Sequence, residues 1–304
     1  MVTLYDQPEE FSVPLPLEDA ERYCAEMARR EAKNFYWGFI ALPRPKRMAI
    51  YALYDFARQV DDEADRPQRE RSLARLAQHR ERLADCLAGD YRDPVMQMLG
   101  HAVARYGIPA AELEQVIDGV EMDLRRDRYQ SWEELHGYCG LVASSVGRMC
   151  VRIFGFSDPR ALGYADDLGR AMQLTNILRD MREDFTQFGR VYLPLDDLAR
   201  FGIAEEALVA CFHDDAPPGA HPGPGWDRFV HYQAARARGL FATGLRVADA
   251  IPTTSAACVY TMAGIYRRIL DQIERAPCLP LGRRVSLSGK AKLSVMVRSW
   301  LQAV

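Results

Sequence analysis

Apolar residues recur at three- and four-residue spacing along most of this chain. The pattern predicts helices over Leu17 to Phe39, Lys46 to Ala64, Gln68 to Ala88, Pro94 to Tyr106, Ala110 to Asp127, Trp132 to Phe154, Pro159 to Phe185 and Trp226 to Arg275. Ala, Leu, Glu and Arg, all good helix formers, fill these stretches. Alternating strand patterns are nearly absent, so the expected fold class is all-α. Pro43 and Pro45 punctuate the end of the first long helix, and Ser131 followed by Glu134 has the spacing of a capping box. The Pro- and Gly-rich run from His213 to Gly225 predicts a mobile surface loop inside one domain spanning 1–304. No fixed-period repeat is present.

Composition narrows the class without naming a chemistry. The chain has 304 residues, 48% of them hydrophobic, enough to fill a sizeable core. A formal net charge of -3 argues against nucleic-acid binding, which rests on clustered Lys and Arg. Seven scattered cysteines (Cys24, Cys86, Cys139, Cys150, Cys211, Cys258, Cys278) read as small hydrophobes rather than disulfides or a zinc site. The N-terminus lacks a signal-peptide pattern and no uncharged stretch is long enough to span a bilayer, so a cytoplasmic protein is expected. The basic stretch Arg283 to Val304 is expected to be a final helix packed on the core, with peripheral contact on an anionic membrane surface as the alternative.

Two distant segments carry the candidate chemistry: YDFARQVDDEAD from Tyr54 to Asp65 and QLTNILRDMREDFTQFGRVYLP from Gln173 to Pro194. On a helix Asp61 and Asp65 share a face with Tyr54 and Arg58, while Gln173, Asn176, Asp180 and Asp184 share another. Carboxylates stacked at i, i+4 cost an isolated helix a few tenths of a kcal/mol, and a cation shared with a diphosphate reverses that sign. Mg²⁺ suits such sparse carboxylates because it keeps waters and takes only one or two of them alongside phosphate oxygens. A solvated acidic face is the plain alternative for either pair. The apolar flanks MAIYALYDF and AMQLTNIL instead point the aspartates into an interior cavity, where cation binding offsets the cost of burial.

Basic and aromatic residues accompany the acids. Lys33, Arg58, Arg179 and Arg190 could each pair with a neighbouring acid or donate to a diphosphate. Phe35 and Phe39 form an i, i+4 stripe that is either plain core or a lining able to stabilise a carbocation. Tyr138, opening the small-residue run YCGLVASSVG, could orient a leaving group or simply satisfy its hydroxyl in the bundle.

These residues resemble the phytoene and squalene synthase family of head-to-head prenyl diphosphate synthases. The resemblance spans about residues 20 to 304 and rests on KNFYWGFIALPRPKRMAIYALYDFARQVDDEAD, YCGLVASSVGR, QLTNILRDMREDFTQFGRVYLP and MAGIYRRILDQIER. It implies an isoprenoid synthase-type helical bundle around a central apolar cavity. It implies Mg²⁺, or Mn²⁺ as a substitute, on Asp61, Asp65, Asp180 and Asp184 with Asn176, and diphosphate contacts from Lys33, Arg58 and Arg190. Tyr138 matches a tyrosine near the leaving diphosphate, Phe35 and Phe39 match cavity aromatics, and Tyr54 and Tyr266 match cavity-side tyrosines; Gln173, one turn before Asn176, could complete a ligand set, contact substrate or make an interhelical hydrogen bond.

Within the family, the resemblance is nearest to bacterial presqualene diphosphate synthases of the hopanoid pathway, which join two farnesyl diphosphates and stop at the cyclopropyl intermediate. NADPH is then not expected, and downstream pathway enzymes become candidate partners. Phytoene synthase, joining two geranylgeranyl diphosphates in carotenoid biosynthesis, is the alternative. A terpene cyclase and a non-catalytic family member stand behind both. Asp55 occupies a position where many relatives carry a small residue and adds an acid near the first cluster.

Overall fold

A computed structural model describes residues 14–66, 68–217 and 220–303; the side chains of Lys33 and Asn34, and Pro218 and Gly219 of the expected loop, lie outside the described residues. Helices dominate, and β pairing among the described residues is limited to an isolated bridge between Arg128 and Val191. The all-α expectation holds.

The first expected helix is divided. α1 (Leu17–Glu31) ends at buried Ala32, and α2 (Lys33–Phe39) restarts at once in a new direction. No proline or glycine marks that break, so the 3.6 period runs through it unseen. α3 (Arg44–Ala64) is capped by Pro43 and carries Pro45 in its first turn, where the missing N–H is not needed. α4 (Arg69–Ala88), α5 (Pro94–Tyr106) and α6 (Ala110–Arg125) follow; Asp93 caps α5 by accepting from Val95 and Met96 N–H.

The expected helix over Trp132 to Phe154 contains a π-helical turn. α7 (Trp132–Cys139) runs into the π segment Gly140–Ser144 and then α8 (Ser145–Phe154). Ser131 Oγ accepts from Glu134 N–H at 3.3 Å, but Glu134 reaches Gln130 N–H at 2.8 Å rather than Ser131, so the capping box is shifted by one residue. α9 (Arg160–Phe188) mixes apolar and charged residues on several faces, and its buried residues, from Ala161 to Met181, include Thr175 and Arg179. It packs against α7, the π segment and α8, and closes at Gly189 with φ +72°. There Gly189 N–H donates to Phe185 O at 2.8 Å and Arg190 N–H to Asp184 O at 3.1 Å.

Short helices α10 (Leu195–Arg200) and α11 (Glu205–Ala210), too brief for a periodic signal, precede the expected loop. The long stretch Trp226 to Arg275 is two helices, α12 (Trp226–Gly244) and α13 (Thr253–Arg275), separated by a 3-10 turn over Leu245–Ala250 and by Pro252. Both pack on α9. α14 (Leu279–Gly282) leads to α15 (Gly289–Ala303), which lies on α13 and α2 as a final helix, the expected placement. All seven cysteines are free thiols, five of them buried. No helix among the described residues is long and apolar enough to cross a membrane.

Candidate functional site

Helices α2, α3, α6, α7 to α9 and α13 surround an apolar cavity of about 360 Å³. α3 contributes Ile50, Leu53, Tyr54, Ala57, Arg58 and Asp61 on one stripe, and α9 faces it with Ala165, Leu168, Gly169, Met172, Gln173 and Asn176. Both sequence-derived stripes therefore line one space, with their polar ends together and their apolar ends together. Phe35 and Phe39 enter from α2, and Cys258, Met262 and Tyr266 from α13.

The two aspartate pairs differ in burial. Asp61 sits at the rim with its side chain 53% exposed, whereas Asp180 is 13% exposed and Asp184 is half-buried. Of the four aspartates expected to face the cavity, Asp61 lines it at the rim near the C-terminal end of α3, whereas Asp65, Asp180 and Asp184 are not among its lining residues, and Asp184 borders a small separate pocket with Arg190 and Tyr192. Arg58 holds Asp61 at 3.1 Å and the buried Asp62 at 2.6 Å. Burial and the Asp61 carboxylate push Asp65 up to about 7, partly offset by Arg190 and Arg58. Burial together with Asp180 and Asp123 pushes Asp184 well above the carboxylate range.

Arg190 ties the pairs together. Its Nη2 donates to Ala64 O at 2.8 Å at the end of α3, and Nη1 lies 3.8 Å from Asp65. Its Nε is buried without a hydrogen-bond partner. Asp180 accepts from Arg179 Nε and Nη2 at 2.7 and 2.5 Å and from Arg284 Nε at 2.9 Å. Asn176 Nδ2 donates to Gln173 Oε1 at 3.2 Å, leaving Asn176 Oδ1 buried and unbonded. An orphaned amide oxygen one turn before a crowded carboxylate pair suits a hard divalent cation, which relieves the repulsion and takes oxygen ligands. Lys33 opens α2, and its side chain lies outside the described residues.

Phe35 stacks on Phe39 with centroids 6.1 Å apart, and both meet Tyr54 at 6.0 Å; Phe35 also meets Tyr266 at 6.1 Å. Tyr266 is fully buried beside Asn176 and Arg179, and burial raises its phenol. Tyr138 lines the cavity and donates to Asp123 Oδ2 at 2.7 Å, while Tyr192 donates to Asp123 Oδ1 at 2.8 Å. Burial, with Asp123 alongside, lifts the Tyr138 phenol well above 10, so its proton stays on oxygen at neutral pH. Burial pushes Asp123 up to about 6 against the pull of Arg190 and the two phenols.

Asp123, Tyr192 and Arg284 were not among the sequence candidates. Asp123 had a readable signal, for it falls at i+3 from Val120 and i+7 from Val116 on the apolar stripe of α6, where a core residue belongs. Arg284 had none, since its reach to Asp180 depends on how the chain returns after α14. Asp55 is no part of the first cluster. It points to the other side of α3, fully buried beside the Cys24 thiol of α1.

Residues 28–291 match the squalene/phytoene synthase family. The chain belongs to this family. A squalene/phytoene synthase is a prenyltransferase that condenses isoprenoid diphosphates head to head, and the cavity with its polar rim fits that activity. The chain is similar to a phytoene synthase from Mycobacterium tuberculosis, 36% identical over 95% of this chain and 93% of that protein. Its structure resembles that of a dehydrosqualene synthase in complex with ligand, with TM-score 0.83 and 28% identity over 95% of this chain and 98% of the other. Squalene synthase HpnC from Alicyclobacillus acidocaldarius is similar at TM-score 0.78 and 27% identity, covering 90% of this chain and 98% of that one.

Proposed function

We propose that this squalene/phytoene synthase couples two farnesyl diphosphates into presqualene diphosphate. The depth of the cavity carries the choice of substrate. From Asp61 to Ile50 on α3, and from Asn176 to Ala165 on α9, the lining spans eleven helical steps, a rise of about 16.5 Å. Phe154 of α8 closes the far end, where its carbonyl accepts from Lys46 Nζ at 2.6 Å. An extended prenyl chain advances roughly 1.25 Å per C–C bond, giving about 14 Å for farnesyl and about 19 Å for geranylgeranyl. The shorter chain suits the α3 and α9 walls.

In this reading Asp61, Asp65, Asn176, Asp180 and Asp184 hold Mg²⁺ with the diphosphates. The bound cation would polarise the departing diphosphate. Arg58 and Arg190 flank the rim as diphosphate donors, Gln173 lies at the same end of the cavity, Lys33 of α2 is a further candidate donor, and Arg284, paired with Asp180, would add a donor to phosphate. The C1–O bond of one substrate breaks with its electron pair on the leaving diphosphate. The 2,3 double bond of the second substrate attacks C1, and ring closure to the cyclopropane releases one proton. Phe35, Phe39, Tyr54 and Tyr266 exclude water, and a ring face stabilises the cation by roughly 0.5 to 2 kcal/mol. Tyr138 lines the cavity with its single O–H donated to Asp123, so it would have to give up that bond to donate to the leaving diphosphate.

The second reading, phytoene synthase, is supported by the name of the Mycobacterium tuberculosis relative. Parallel incubations with farnesyl and geranylgeranyl diphosphate, with Mg²⁺ and without NADPH, separate the two. We expect presqualene diphosphate as the product and a kcat/KM for the C15 substrate at least about tenfold higher, the scale of one to two buried methylenes. Phytoene formed with the reverse preference would replace the first reading by the second.

A further inference from the structure

α15 buries one face and leaves another apolar face uncovered. Val295 and Ser299 point inward; Val295 Cγ1 packs within 2.7 Å of where a Cβ on Gly264 of α13 would stand. On the opposite side Leu293, Val297, Trp300 and Leu301 recur at i, i+4, i+7 and i+8, forming one stripe. They are 45%, 50%, 60% and 73% exposed, and are four of the six large hydrophobics so exposed among the described residues. A helix already docked through its inner face gains nothing in stability from this second stripe, which marks an interaction surface.

Charge identifies the partner. From Ala276 to Val304 the sequence has no Asp or Glu but contains Arg283, Arg284, Lys290, Lys292 and Arg298, in a chain whose formal charge is -3. Exposed Lys290 lies at i-3 from Leu293 on the stripe itself, and exposed Arg298 borders it at i-3 from Leu301. A tryptophan among aliphatic side chains, edged by long basic ones that can extend to phosphate, has the composition of an interfacial helix. A second copy of the chain would bring Lys290 and Arg298 against like charge. Leu15 N–H and carbonyl are tied to Gln97 of α5, at the end of α1 remote from α2.

We propose that this face of α15 rests on the surface of a bilayer rich in anionic phospholipid. Trp300, Leu301, Val297 and Leu293 enter the acyl boundary, and Lys290 and Arg298 meet headgroup phosphates. Because α15 packs on α2 and α13, which wall the cavity through Phe35, Phe39, Cys258 and Met262, docking brings that wall beside the membrane.

The test is co-sedimentation of the full chain with vesicles of equal phosphatidylglycerol and phosphatidylcholine, compared with phosphatidylcholine alone. Wild type should sediment with the anionic vesicles and be released by salt. Lys290→Gln with Arg298→Gln should weaken partitioning by about twentyfold, roughly fivefold per charge. Trp300→Ala with Leu301→Ser should weaken it about tenfold or more. Both variants alter exposed positions and should keep wild-type turnover on detergent-dispersed substrate. Absence of vesicle binding, or equal binding to neutral vesicles, overturns the proposal. So does a solution dimer broken by the Trp300 and Leu301 changes, or a Trp300 shielded from quencher without vesicles, which would assign the face to a second copy or to the chain's own first residues. The assay reads no turnover, so its failure leaves the catalytic reading standing.

Discussion

Asp55 and Asp61 lie on the same helix and meet opposite environments. Asp61 sits at a polar rim with Arg58, while Asp55 is fully buried with neither carboxylate oxygen in a hydrogen bond, and burial pushes it up to about 8. A carboxyl raised this far folds as the neutral acid. Its contribution to stability is therefore complete below the unfolded carboxylate value near 4 and is lost as pH rises through about 8. Asp55→Asn keeps the shape and removes the proton. The denaturation midpoint of wild type should fall between pH 5 and 9 by about a few kcal/mol relative to Asp55→Asn; parallel pH profiles would show that the carboxyl is solvated instead. Sequence spacing could put Asp61, Asp65, Asp180 and Asp184 on common stripes, because that depends on helical period alone. It could not tell Asp55 from a cluster member, since which side of α3 faces α1 is set by packing. Asp123 was legible in principle as an acid on an apolar stripe.

The elements follow the hydrophobic period where it is local and depart from it where the backbone itself changes. α and π turns carry the same kinds of side chains, so nothing in GLVAS marks the segment Gly140–Ser144 as π-helical. What sets the segment apart is its contact with α9: a Cβ on Gly169 would stand 2.7 Å from Ala143 O and 2.9 Å from Ser144 N. Backbone meets backbone there, and neither side can yield by rotating a side chain. Gly169→Ala should cost about 1–3 kcal/mol in a denaturant midpoint and displace the Val142 and Ala143 wall of the cavity. Gly163 lies on the same helix with nothing within 4 Å of its Cβ position, so Gly163→Ala should be neutral or stabilising by about 0.5–1 kcal/mol. Equal responses at the two glycines would remove the close approach as an explanation. The break at Ala32 has no proline or glycine to mark it, whereas the one after Gly244 was legible in Pro252, which stands inside the stretch Trp226 to Arg275.

At the scale of the whole molecule, α3 and α9 bring segments more than a hundred residues apart to one end of one apolar space. The polar end is stitched by Arg190, which reaches the last carbonyl of α3 from just beyond α9. The first carboxylate pair is open to solvent and the second is recessed and covered by Arg179 and Arg284, so the two ends of a coupling reaction differ in access. The account turns on both pairs serving a single bimolecular condensation. The direct measurement is product identity and stoichiometry from labelled farnesyl diphosphate with Mg²⁺, for wild type, Asp61→Ala and Asp180→Ala. Two substrate molecules should enter each head-to-head product, with either substitution lowering the rate at least about a hundredfold. A product built from one prenyl chain, or undiminished coupling in both variants, would contradict it.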